Sequence, residues 1–98
     1  MVTLLGDKQV AGAVEKLTDW RRDGHAIVRT ATLPSFPAAI EAVREVAEIA
    51  EARNHHPDID IRWRTLTFRC STHSAGGITG LDIELAGEID RVVAGAAS

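Results

Sequence analysis

Apolar and polar positions alternate along this chain at two periods, near 3.6 and near 2, and the switches between them mark the elements. Over residues 8–17, Val10, Ala13, Val14 and Leu17 fall at i, i+3, i+4 and i+7, the spacing of one helical face. Asp7 stands before them as the expected N-cap. Residues 20–22 and 26–32 read as two strands. Asp23-Gly24-His25 separates them, and Asp-Gly favours a tight hairpin turn because such turns need φ > 0. Ile27, Ala31 and Leu33 are expected on the core face of the second strand, with Arg29 at its margin.

The central helix has the plainest pattern. Ser35 can cap it, and Pro37 fits its first turn, where backbone N–H groups lack helical partners. Phe36, Ala39, Ile40, Val43, Val46, Ala47 and Ala50 are expected to form one apolar stripe, with Glu41, Arg44, Glu45, Glu48 and Glu51 largely off it. Pro57 disfavours a helical His56, so Asn54, His55 and His56 fall at the C-terminal end. Residues 60–63 and 66–72 read as a second strand pair joined at Arg64-Thr65, and Leu66, Phe68 and Cys70 alternate with Thr67, Arg69 and Ser71. His73 lies just past the strand, and Gly76-Gly77 marks a loop. A last helix starts near Gly80 behind Thr79 and Asp82, which stand at capping-box spacing. Leu81, Leu85, Ile89 and Val92 form its apolar row. The order is α-ββ-α-ββ-α. The simplest packing is an α+β fold, a four-stranded antiparallel sheet with helices on one face. An uncovered sheet face or an edge strand would favour self-association.

Composition narrows the class. The 98 residues predict a single domain over 1–98, and 45% hydrophobic with 26% charged residues is ordinary for a soluble globular protein. Eleven Lys and Arg against 14 Asp and Glu give a net charge of −3, with no basic stripe to hold a nucleic-acid backbone. One cysteine, Cys70, allows no internal disulfide. No run approaches the ~18 apolar residues of a membrane span. The first residues lack a basic and then apolar leader pattern, so a cytoplasmic protein with no membrane or nucleic-acid partner is expected.

Chemistry concentrates in the histidines. His55, His56 and His73 fall near the end of the central helix and the end of the last strand. An imidazole titrates near about pH 6.5 and so exchanges protons at neutrality. Each residue also has a plainer reading. His-His-Pro serves equally as a polar helix terminator. Asp82 reads first as a cap, Glu51 as a solvated carboxylate, and Trp63 as a core or interface aromatic. Cys70 reads as a small buried side chain and His25 as a solvated turn residue. Adjacent histidines at a helix end point apart, and neither a cysteine pair nor H-E-x-x-H is present, so no metal site is expected.

The spacing adds a resemblance. Glu51, three intervening residues, His55-His56-Pro57, the aromatic Trp63, then Ser71-Thr72-His73 and finally Asp82 resemble the signature of the pterin-4a-carbinolamine dehydratase family. The similarity spans about residues 5–94. It implies an α+β fold, a homodimer or homotetramer, and removal of water from a 4a-hydroxytetrahydropterin to give the quinonoid dihydropterin, in recycling of the pterin. The pterin is then the substrate, and no cofactor is expected. By this resemblance His55 and His73 are the acid/base pair, and His56 helps to hold the ring and supports catalysis. Glu51 and Asp82 orient imidazoles or bond the pterin edge, and Asn54, Ser71 and Thr72 border the ring. The sequence departs from the family at Asn54, where many members carry Asp, at Ile59, where many carry an aromatic, and at Ala31. Two other readings stand beside the enzyme: a non-catalytic protein-binding module that acts as a dimerisation cofactor, and a pterin binder without turnover.

Overall fold

In the computed structural model, which describes residues 2–97, the elements are α1 (Asp7–Lys16), β1 (Arg21–Asp23), β2 (Ala26–Thr32), α2 (Phe36–Arg53), β3 (Asp58–Arg62), β4 (Thr65–Cys70), a 3-10 turn (His73–Ala75) and α3 (Gly80–Ala97). The strands form one antiparallel sheet in the order β1-β2-β4-β3. The expected α+β fold and its element order are what the structure shows.

Register sets the two faces of the sheet. Ile27 pairs with Cys70, Arg29 with Phe68 and Ala31 with Leu66, while Ile59 and Ile61 of β3 lie opposite Phe68 and Leu66. These residues share one face, because side chains alternate along a strand. Val10 of α1, Ala39, Ala42 and Val46 of α2, and Leu85, Ala86, Ile89 and Val93 of α3 join Ile27, Ala31, Leu66, Phe68 and Cys70 in the core, with Ile59 packed against it and Ile61 left exposed. Arg29 enters this layer as a charge. Its guanidinium meets Asp90 Oδ1 at 2.5 Å, and the Trp20 indole N–H donates to the same oxygen at 2.8 Å. The opposite face carries Thr30 against Thr67, Thr32 against Thr65, and Arg69 donating to Asp23. Ala26 and Val28 lie on that side too by strand alternation, and both are buried.

Several expected details shift. Gly6, not Asp7, occupies the N-cap of α1, and its N–H donates to Gln9 Oε1. β3 begins at Asp58, and the β3–β4 turn is Trp63-Arg64 rather than Arg64-Thr65. A non-local contact fixes that turn: Leu33 N–H donates to the Arg64 carbonyl at 2.8 Å, and Arg64 Nη1 donates back to the Leu33 carbonyl. Trp63 takes φ 54° and is left 70% exposed, with the Arg64 guanidinium over its ring. On α2 the buried residues are Ala39, Ala42, Val46 and Ala50, while Phe36, Ile40 and Ala47 are exposed. At 3.6 residues per turn those three fall on one flank of the buried stripe rather than at its centre.

Candidate functional site

The site begins where α2 ends. Asn54 sits in the left-handed region (φ 50°, ψ 43°), a conformation that Asn tolerates better than most side chains. Its N–H bonds back to Glu51, and the His55 N–H bonds to the Ala50 carbonyl at 3.0 Å. This paired closure is a Schellman motif. It turns the chain so that the two histidines diverge. His55 goes inward and is 8% exposed, whereas His56 stays outside with its Nε2 2.8 Å from Glu51 Oε1.

Two further segments meet His55. Thr72, just beyond β4, is held by its N–H donating to the Gly77 carbonyl at 2.8 Å. Gly77 itself is pressed by the N-terminal segment, since a Cβ there would stand 2.8 Å from Leu4 Cδ1. The third segment is the first turn of α3, which carries the fully buried Asp82. His55 Nε2 lies 2.6 Å from Asp82 Oδ1. The other oxygen, Oδ2, accepts from the Thr72 hydroxyl at 2.8 Å and from the Thr79 N–H at 2.9 Å. An ionised carboxylate only accepts, so the proton between it and His55 belongs to Nε2. That leaves Nδ1 as the imidazole nitrogen free for chemistry.

The structure thus brings together His55, Thr72 and Asp82, with His73 next in the chain to Thr72. Thr72 and Asp82 stand behind His55, their polar side-chain atoms taken up by His55, by Thr79 and by one another. Among the described residues the His73 side chain is exposed and makes no hydrogen bond or ion pair. Glu51 reaches His56 and not His55. Ser71 is half-buried, and Asn54 is exposed at the helix end. Cys70 lies beneath the cluster, where burial first and then the Asp82 charge push its thiol up to about 12, away from any nucleophilic role. Sequence reasoning placed Thr79 only as a helix cap. Its hydroxyl also lies 2.8 Å from that of Thr72. Among the described residues no three His, Cys, Asp or Glu side chains gather as a metal site, and no helix is long and apolar enough to cross a membrane.

Comparison with known proteins bears on this arrangement. A protein of Nocardia farcinica, named "Putative pterin-4-alpha-carbinolamine dehydratase", is 61% identical over 89 residues, covering 91% of this chain and 94% of its own. A protein of Roseiflexus castenholzii with the same name is 52% identical, over 95% of this chain and 100% of its own. Among solved structures, a transcriptional coactivator/pterin dehydratase from Brucella melitensis superposes with a TM-score of 0.88 at 26% identity, covering 91% of this chain and 97% of that one. A pterin dehydratase-like RuBisCO assembly factor of the alpha-carboxysome shares the fold, with a TM-score of 0.66 at 15% identity over 76% of this chain and 89% of its own. Residues 3–92 match the family described as Pterin 4 alpha carbinolamine dehydratase, and the chain belongs to that family.

Proposed function

We propose that this protein dehydrates a 4a-hydroxytetrahydropterin to the quinonoid dihydropterin, using His55 and His73 as its acid/base pair. The observation that carries this reading is the buried Asp82 carboxylate set behind His55 Nε2. Loss of water breaks the C4a–O bond, and hydroxide is a poor leaving group unless protonated as it departs. The N5 electron pair forms the new bond to C4a, and the N5 proton must then be taken up. Two imidazoles on different segments, beside one flat ring, can supply one proton and accept the other. When His55 takes a proton on Nδ1, Asp82 stabilises the resulting cation through Nε2–H. His73, exposed and unpartnered, is free to meet the substrate from the other segment. His56, held by Glu51 at the rim, helps to bind the ring, which Asn54 and Ser71 border. Asp82 and Thr72 act through His55. Such general acid–base help typically gives ~10²–10⁴-fold.

Stopped-flow dehydration of a chemically generated 4a-hydroxytetrahydropterin tests the reading. Acceleration by the protein that His55→Ala abolishes supports it, and no acceleration by folded protein overturns it. A protein-binding role is the second reading. Phe36 and Ile40, large apolar residues exposed along one flank of α2, favour it and would equally serve self-association into a dimer or tetramer. That role would survive His55→Ala.

A further inference from the structure

We propose that Thr79 is a positioning residue for His55, acting through the Thr72 hydroxyl; the proposal rests on the dehydratase reading above only for its kinetic consequences. The Thr72 hydroxyl oxygen lies 2.8 Å from Asp82 Oδ2 and 2.8 Å from the Thr79 hydroxyl oxygen. A hydroxyl has one proton, and the carboxylate can only accept. The Thr72 proton therefore goes to Asp82, and the Thr79 hydroxyl donates to Thr72. Thr79 Oγ1 in turn accepts from the Leu81 N–H at 3.2 Å. Every proton in the chain points the same way: from the α3 backbone to Thr79, to Thr72, and to one oxygen of Asp82. The other oxygen of Asp82 faces His55 Nε2. Hydrogen bonds aligned in series polarise one another, and Thr72 and Thr79 are both buried.

The consequence is directional. With Thr79 in place, the Thr72 hydroxyl cannot turn its proton away from Asp82, because that side already receives a proton from Thr79. Asp82 keeps its donors on Oδ2, Oδ1 stays aimed at His55, and the imidazole is held with its proton on Nε2. Thr79 does this from inside the fold, next to α3, without touching a substrate.

The test uses the full-length protein with Thr79→Val, which removes the hydroxyl at constant size, and Thr79→Ser, which keeps it. Two readouts apply: the His55 tautomer by NMR of ¹⁵N-labelled histidine rings, and kcat and KM for pterin dehydration. The expected result is a wild-type His55 in the Nε2–H form and a measurable Nδ1–H fraction in Thr79→Val, with Thr79→Ser like wild type. In Thr79→Val, kcat falls about three- to tenfold, as for a weak coupling in a contacting network, with KM changed less than about twofold. In a Thr72→Val background the same Thr79→Val change adds less than about twofold, because the link it acts through is gone. The proposal is overturned if Thr79→Ser is as impaired as Thr79→Val, if the tautomer is unchanged, or if the Thr79→Val effect persists in full without the Thr72 hydroxyl. Should the wild-type protein not dehydrate the pterin at all, the dehydratase reading falls and the tautomer measurement still decides this proposal.

Discussion

His55 and His56 are neighbours in the chain and opposites in surroundings. One imidazole is buried against a carboxylate that two further donors hold in place. The other stands in solvent, where Glu51 offers a single exposed contact. His73, at the start of the 3-10 turn after Thr72, has no partner among the described residues. The difference separates two jobs. The inner region, His55 with Asp82, Thr72 and Thr79, fixes which nitrogen carries the proton. The outer region, His56, Glu51 and His73, is exposed, and in the proposed reading it meets the substrate. An exposed ion pair contributes little to stability, whereas a buried network penalises the loss of any member.

Asp82→Ala is the most severe way to break that contrast. It strands the His55 N–H, the Thr72 hydroxyl and the Thr79 N–H in the interior. Stability falls by at least about 1–3 kcal/mol, read from the urea midpoint, and turnover drops with it. A Glu51→Ala variant unfolds like wild type in the same assay, since its one partner is at the surface.

Next come the histidines themselves. His55→Ala and His73→Ala each lower turnover at least ~10-fold, the low end of acid–base contributions. Thermal unfolding then divides them: His55→Ala melts earlier because Asp82 loses a buried donor, and His73→Ala melts with wild type.

Asn54 sharpens the comparison at its pivot. Asn54→Val places a branched side chain in the left-handed region and destabilises the protein by about 1–2 kcal/mol. Asn54→Gly stays close to wild type. A direct bond from the Asn54 side chain to the pterin would in addition make both variants raise KM alike, on top of that difference in stability.

The smallest effect concerns Cys70. Folding raises its thiol from an ordinary value of 9.0 to about 12. The folded chain therefore holds this proton more tightly than the unfolded chain. The stabilisation is fully present below pH 9 and is lost as the pH rises toward 12. Urea midpoints should decline across that window less steeply in Cys70→Ala, and labelling of the native thiol near pH 8 should be slow.

Much of this was legible in the sequence because it is local. The alternation in β4 and the β-branched run of β2 reported the correct faces, and Thr79 with Asp82 reported the start of α3. The β3–β4 turn was displaced by one residue because its position depends on Leu33 bonding Arg64, a contact across 31 residues that no local signal carries. The apolar flank of Phe36 and Ile40 was merged with the buried stripe for a related reason: periodicity identifies an apolar sector but not where the sheet lies beneath it. Within the site, the divergence of His55 and His56 followed from the helix end. Family resemblance implies that Glu51 and Asp82 orient imidazoles or bond the pterin edge, but that Asp82 meets His55, 27 positions away, has no signal in the spacing. The link from Thr79 to Thr72 had no sequence signal, because it requires the loop between them to close.

The most direct test of the central claim is stopped-flow dehydration of a 4a-hydroxytetrahydropterin by the wild-type protein, His55→Ala and His56→Ala, side by side. The expected result is clear acceleration by wild type, its loss in His55→Ala, and a smaller reduction in His56→Ala that appears mainly in KM. Equal losses in the two variants, or full activity without His55, would contradict the assignment of catalysis to the buried imidazole.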